Sequence, residues 1–235
     1  MKVLALEASA NTVSVAVVES DKLIGEYTIN HRKTHSQTLM PMIEELLKNC
    51  EIGTEDIELI AVSKGPGSFT GLRIGVETAK ALAHGMGKPV AGVDTTYAMA
   101  HNLLSADCEK IIVPIMDARR NQVYTGIYKT TGQGIETVLK TCAISIEKLA
   151  EHIKKLNKKA VFLGDGVEVH REFLIETLGA LVEFAPANNA MQRASSVAIA
   201  AIEAYKGKEF DTYLSLMPEY LRKSQAEREY EEKNK

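Results

Sequence analysis

Lys64-Gly-Pro-Gly-Ser-Phe-Thr-Gly-Leu-Arg-Ile-Gly-Val76 follows directly on the apolar run Leu59-Ile-Ala-Val-Ser63. The run reads as a buried strand, and the stretch after it as a turn that enters a helix. Gly65, Gly67 and Gly71 permit backbone conformations that a Cβ forbids, and Pro66 stiffens the turn between them. Ser68 or Thr70 supplies an N-cap oxygen for the first free N–H groups of the helix. Strand, glycine-rich turn and helix N-terminus together form an anion cradle, because free N–H groups and the helix dipole converge there. A tight turn with no ligand is the alternative. The spacing is not G-x-G-x-x-G and no Gly-Lys-Ser/Thr follows, so neither the dinucleotide fingerprint nor the P-loop fits.

The helix carries a second signal. Gly71, Gly75, Ala79 and Ala83 recur every four residues and strip one face of side-chain bulk. Ridges at that spacing let another helix approach closely. A glycine inside a helix costs about 1 kcal/mol relative to alanine, so Gly75 implies that something packs against it.

Working outward, Val3–Ala8, Val13–Val18 and Leu23–Ile29 read as three strands. A helix follows, with Leu39, Ile43, Leu46 and Leu47 at helical spacing. Thr34 and Gln37 could form its capping box, but Pro41 favours a start near Thr38. Pro89–Val93 is a further strand and Thr95–Leu104 a third helix. The order then restarts: Ile111–Met116 ends in Asp117 as the first strand ends in Glu7, and Gln122–Tyr128 and Glu136–Ala143 are strands. Ser145–Leu156 is a helix, Ala160–Leu163 a strand, and Glu168–Leu178 a helix. Such a repeat implies two α/β domains facing a cleft, residues 1–100 and 101–235, the second including the helix Ala194–Tyr205 and a charged, solvated tail.

Composition sets the class. A chain of 235 residues, 45% hydrophobic and 25% charged, is an ordinary globular protein, and its net charge of −3 offers no basic field for nucleic acid. No apolar run approaches the roughly 18 residues that span a bilayer, and Met1-Lys-Val-Leu enters a strand rather than a signal peptide. Cys50, Cys108 and Cys142 are odd in number and far apart, which fits reduced thiols in a cytosol.

Four stretches resemble the TsaB (YeaZ) family over essentially the whole chain. They are Gly65–Gly75, His35–Pro41, Asp117–Arg120 with Val123-Tyr124, and Pro218–Glu227. The resemblance implies a duplicated actin-like, sugar-kinase-like α/β fold. It also implies a non-catalytic subunit that supports threonylcarbamoyladenosine formation next to the anticodon of ANN-decoding tRNAs. The implied partners are a TsaD-type transferase and a TsaE-type ATPase, with a homodimer in isolation and tRNA reached through the complex. No cofactor is expected on this chain alone, although ATP or ADP could sit at the complex interface. TsaD carries a metal-binding His-x-x-x-His; those positions fall here on Thr95 and Met99, neither a credible ligand. His31 and His35 are four apart, but Arg32 and Lys33 between them would repel a cation.

On this reading the docking surface comprises Leu39, Met42, Ile43, Leu46, Gly71, Leu72, Gly75, Thr78 and Ala79. The expected vestigial nucleotide cleft comprises Glu7, Gly65, Gly67, Ser68 and Asp117. Arg119 and Arg120 beside it could hold an anion. Two rivals remain: an ATP-dependent small-molecule kinase, which would want a glycine in Ala8-Ser-Ala-Asn-Thr12, and a metallopeptidase, which would want the two histidines.

Overall fold

Alternation along the first strand explains the layering of the molecule. The computed structural model describes residues 1–30, 34–104, 109–132, 134–206 and 210–222. In β1 (Lys2–Glu7), Leu4 and Leu6 face one way and Val3 and Ala5 the other, and all four are buried. The strand is covered on both faces. It pairs antiparallel with β2 (Thr12–Glu19), which pairs antiparallel with β3 (Lys22–Asn30). On its other side lie β4 (Leu59–Gly65) and β5 (Val90–Asp94), both parallel. The second sheet is built from β6 (Ile111–Asp117), β7 (Gln122–Thr131), β8 (Gly134–Ser145), β9 (Ala160–Leu163) and β10 (Val182–Phe184). The orders are β3-β2-β1-β4-β5 and β8-β7-β6-β9-β10, one arrangement used twice. This is the duplicated actin-like fold.

Helices α1 (His35–Asn49) and α2 (Phe69–Met86) cover the outer face of the first sheet through Leu39, Met42, Ile43, Leu46, Val76 and Ala79. The inner face is lined by Ala5, Ala16, Ala61 and Ala91. It meets α3 (Thr95–Ala100) and the alanine-rich α6 (Ala194–Ala204), small residues on both sides allowing close approach. Met99 and Ala100 of α3 also pack on Ile112, Met116 and Tyr128, so α3 lies between the two sheets. Helices α4 (Ile146–Leu156) and α5 (Gly166–Leu178) close the outer face of the second sheet.

Three local expectations change. Helix α1 begins at His35, three residues before Thr38, and Thr34 caps it without a side-chain bond, so there is no capping box with Gln37. Pro41 therefore lies inside the helix. It is tolerated because Pro41 and Gln37, whose carbonyl loses its partner, are both exposed to water. The short strand β10 was not expected. The division at residue 100 also fails: α6 covers the first sheet, and Asp211 bridges to Val90 on its edge. Among the described residues, α6, Asp211 and Glu219 thus return to the first half, and the middle of the sequence forms the second. The charged tail lies outside the described residues.

One glycine of α2 faces nothing. A Cβ at Gly85 would have no neighbour within 4 Å. Gly85→Ala should stabilise the protein by about 0.5 kcal/mol in urea unfolding, since alanine costs less backbone entropy in a helix. A loss of stability there would mean that the end of α2 is covered.

Candidate functional site

A cleft of about 490 Å³ opens where the carboxyl ends of β1, β4, β6 and β9 converge. Its walls are the β1–β2 turn (Ser9, Ala10, Asn11), the start of α2 (Gly67–Thr70), the end of β6 (Met116–Arg119), Asp165 after β9, and the segment Glu219–Arg222. In open α/β sheets this is where ligands bind.

The two expected carboxylates occupy different environments. Glu7 is 1% exposed, and Ser9 N donates to its Oε1 at 2.6 Å. Burial pushes its carboxyl above the usual range, partly opposed by hydrogen bonds from Ser9 and Ser63. It lies behind the cleft wall. Asp117 lines the cleft and accepts from Arg119 N at 2.8 Å. A third carboxylate, Asp165, was missed. Burial, with Asp117 adding its negative charge, pushes Asp165 up to about 6, and its Oδ1 has no hydrogen-bond partner. The signal was Gly164-Asp165-Gly166, which follows β9 as the glycine-rich turn follows β4. Arg119, Arg120 and Asn121 form the next turn with φ of 61°, 54° and 57°. Three consecutive left-handed residues cost roughly 1 kcal/mol each or more. Bonds from Ala118 N to Gln122 O and from Ile146 N to Asn121 O hold the turn in place.

The glycine-rich turn serves backbone packing. A Cβ on Gly67 would lie 2.3 Å from the carbonyl oxygen of Ser9, and one on Gly71 2.1 Å from that of Ala8. Ser68 N donates to Ser9 O at 2.7 Å, while Ser68 Oγ caps α2 by accepting from Gly71 N. The amide that the anion cradle needs at Ser68 is therefore already bonded to protein. Gly65, at φ 138°, lies under Glu219, whose N–H bonds Lys64 O at 2.7 Å. Beside it, Tyr220 stacks on Phe69 at 4.2 Å and accepts from Arg73 Nε at 3.2 Å.

The TsaD family, tRNA N6-adenosine threonylcarbamoyltransferase, matches residues 22–230. The tRNA threonylcarbamoyladenosine biosynthesis protein TsaB of Bacillus subtilis (strain 168) is 34% identical over 235 residues, spanning 100% of both chains. The chain belongs to the TsaB family. The Escherichia coli (strain K12) TsaB protein is 31% identical over 172 residues, 71% of this chain and 72% of that one. YeaZ from Pseudomonas aeruginosa shares the fold, with a TM-score of 0.76, 21% identity, and coverage of 94% of this chain and 99% of that one.

In this TsaB-family chain the expected docking residues are placed differently. Leu39, Met42, Ile43 and Leu46 are only 1–6% exposed and belong to the first half's own core. Leu72, Gly71, Gly75 and Ala79 are buried as well; a Cβ on Gly75 would lie 3.2 Å from Ala8 Cβ and 3.6 Å from Val62 Cγ2. The small stripe faces the molecule's own sheet, because β1 and β4 need a close, thin cover there. Of the nine, only Thr78 reaches the surface, and that in part. The outward faces carry Gln37, Met40, Pro41 and Glu44 on α1 and Arg73, Glu77 and Ala81 on α2.

The two positions matched to TsaD's histidines are interior. Thr95 and Met99 are 0% and 1% exposed, at the start of α3 and between the sheets. His35 Nε2 bonds Ala10 O at 2.7 Å, and His31 lies outside the described residues. Among the described residues no three His, Cys, Asp or Glu side chains are grouped to hold a metal, and no helix is long and apolar enough to cross a membrane.

Proposed function

We propose that this chain is the non-catalytic, activating subunit of a tRNA threonylcarbamoyl transferase, docked on a TsaD-type chain through the outward faces of α1 and α2. Its part in threonylcarbamoyladenosine biosynthesis follows from its family. The observation that carries the non-catalytic reading is the burial of Thr95 and Met99, a hydroxyl and a thioether packed into the core where the transferase resemblance places metal-binding imidazoles. The Ser68 amide bonded to Ser9 O supports it further, since a phosphate would have to displace that bond. Nucleotide, TsaE-type ATPase and tRNA then belong to the complex, the setting is cytoplasmic, and without its partner the same outward faces pair two copies of the chain.

The test is Met40→Asp combined with Ala81→Arg. Met40 is 39% exposed and Ala81 is exposed, so neither change enters the core. Melting should stay within about a degree of wild type, while affinity for the TsaD-type chain falls about 100-fold, as for a disrupted interface centre. Modification of tRNA by the mixture should fall with it. Unchanged capture of the partner would put the docking surface elsewhere.

A further inference from the structure

We propose that residues 216–222 act as a latch holding the two halves closed over the cleft and tying the outer surface of α2 to that closure. The segment is anchored four times. Leu216, 3% exposed, fills the space above Gly92 on β5. Glu219 N bonds Lys64 O, so the segment lies along the end of β4. Tyr220 stacks on Phe69 and accepts from Arg73, whose guanidinium also lies 4.2 Å over the Phe69 ring. Two residues later, Arg222 donates to the carbonyl oxygen of Ala118, on the far wall of the cleft.

The first three anchors belong to the first half and the fourth to the second. A charged donor on a carbonyl is among the stronger hydrogen bonds, and this one ends beside the left-handed turn Arg119–Asn121. The Lys64–Glu219 pair, at 3.5 Å and exposed, adds little. Arg73 is the link to the outside: it is exposed on α2, yet its side chain holds the tyrosine that positions Arg222. A load on Arg73 is therefore felt at Ala118, and the effect is reciprocal.

Amide hydrogen exchange on the full chain tests this, each variant being read at the end it does not touch. Tyr220→Ala removes the α2 anchor; the 118–122 turn, across the cleft, should exchange about tenfold faster, as expected for losing a stacked ring pair and its cation. Arg222→Gln removes the Ala118 anchor; the first turn of α2, residues 69–73, should loosen by a comparable factor. Exchange in β1 serves as the global control. If Tyr220→Ala loosens β1 as well, Arg222→Gln alone decides. No change at the remote end in either variant overturns the latch. The measurement uses the chain by itself, so its outcome is independent of the docking reading.

Discussion

Replacing Gly71 with alanine should lower the stability of this protein by about 3 kcal/mol, although alanine is the better helix former by about 1 kcal/mol. The new methyl would sit 2.1 Å from the carbonyl oxygen of Ala8, a backbone atom that cannot swing aside. The β1–β2 turn and the start of α2 would have to separate, taking Ser68 N from Ser9 O. For a chain of this size the loss corresponds to a melting point roughly 6–12 °C lower. Gly75→Leu should do comparable damage for a different reason. Its Cβ fits with a small adjustment, but the rest of the side chain must enter the packed space between Ala8 and Val62. Had the stripe faced a partner, Gly75→Leu would melt normally and lose only binding. Normal melting of both variants would show that α2 can retreat from the sheet, and would restore the stripe as a docking face.

Asp165→Asn should make the protein more stable at pH 8 by up to roughly 3 kcal/mol, the free energy of a shift of about two pH units. The folded carboxyl titrates at about 6, above its ordinary value, because burial and the neighbouring Asp117 disfavour the anion. Between those two values the folded state binds more protons than the unfolded one. The group's favourable contribution is complete below the unfolded value and is lost as pH rises through about 6. Asparagine resembles the protonated acid at every pH. The gap between variant and wild type should therefore open between about pH 4 and pH 7 and stay open above. Glu7 and Asp94, also raised by burial, tilt both curves equally and cancel in the difference. Urea unfolding of both proteins across this range decides it, and parallel curves would show that Asp165 is solvated in the cleft.

How far the sequence could be read depends on the range of each cause. The turn after β4, a cap from Ser68 or Thr70 and the strand β1 are set by neighbouring residues and were legible, although only the structure chooses Ser68 as the cap. The repeat was legible because Glu7 and Asp117 end matching strands, though β10, with three residues, carries too little pattern to count. The direction of the Gly71–Gly75–Ala79 stripe was not legible. Spacing shows that a face is thin, but the same spacing serves a partner helix or the molecule's own sheet. Leu39, Met42, Ile43 and Leu46 raise the same ambiguity, since an apolar stripe does not reveal what covers it. Asp165 gains its character only when the end of β9 comes beside the end of β6. Arg73 and Tyr220 are separated by 147 positions, beyond any local pattern.

The return of α6 to the first sheet has a consequence for how the molecule is made. Residues 2–94 supply all five strands of that sheet, yet the helix that covers the alanine face of β1, β2 and β4 begins at Ala194. A ribosome adding about 5–20 residues per second needs roughly 5–20 seconds to make the intervening stretch. During that interval the nascent sheet has its outer cover, α1 and α2, but only α3 on the inner side. The second half, whose sheet and outer helices are contiguous in the chain, can fold meanwhile, so the half synthesised first is the last to be completed.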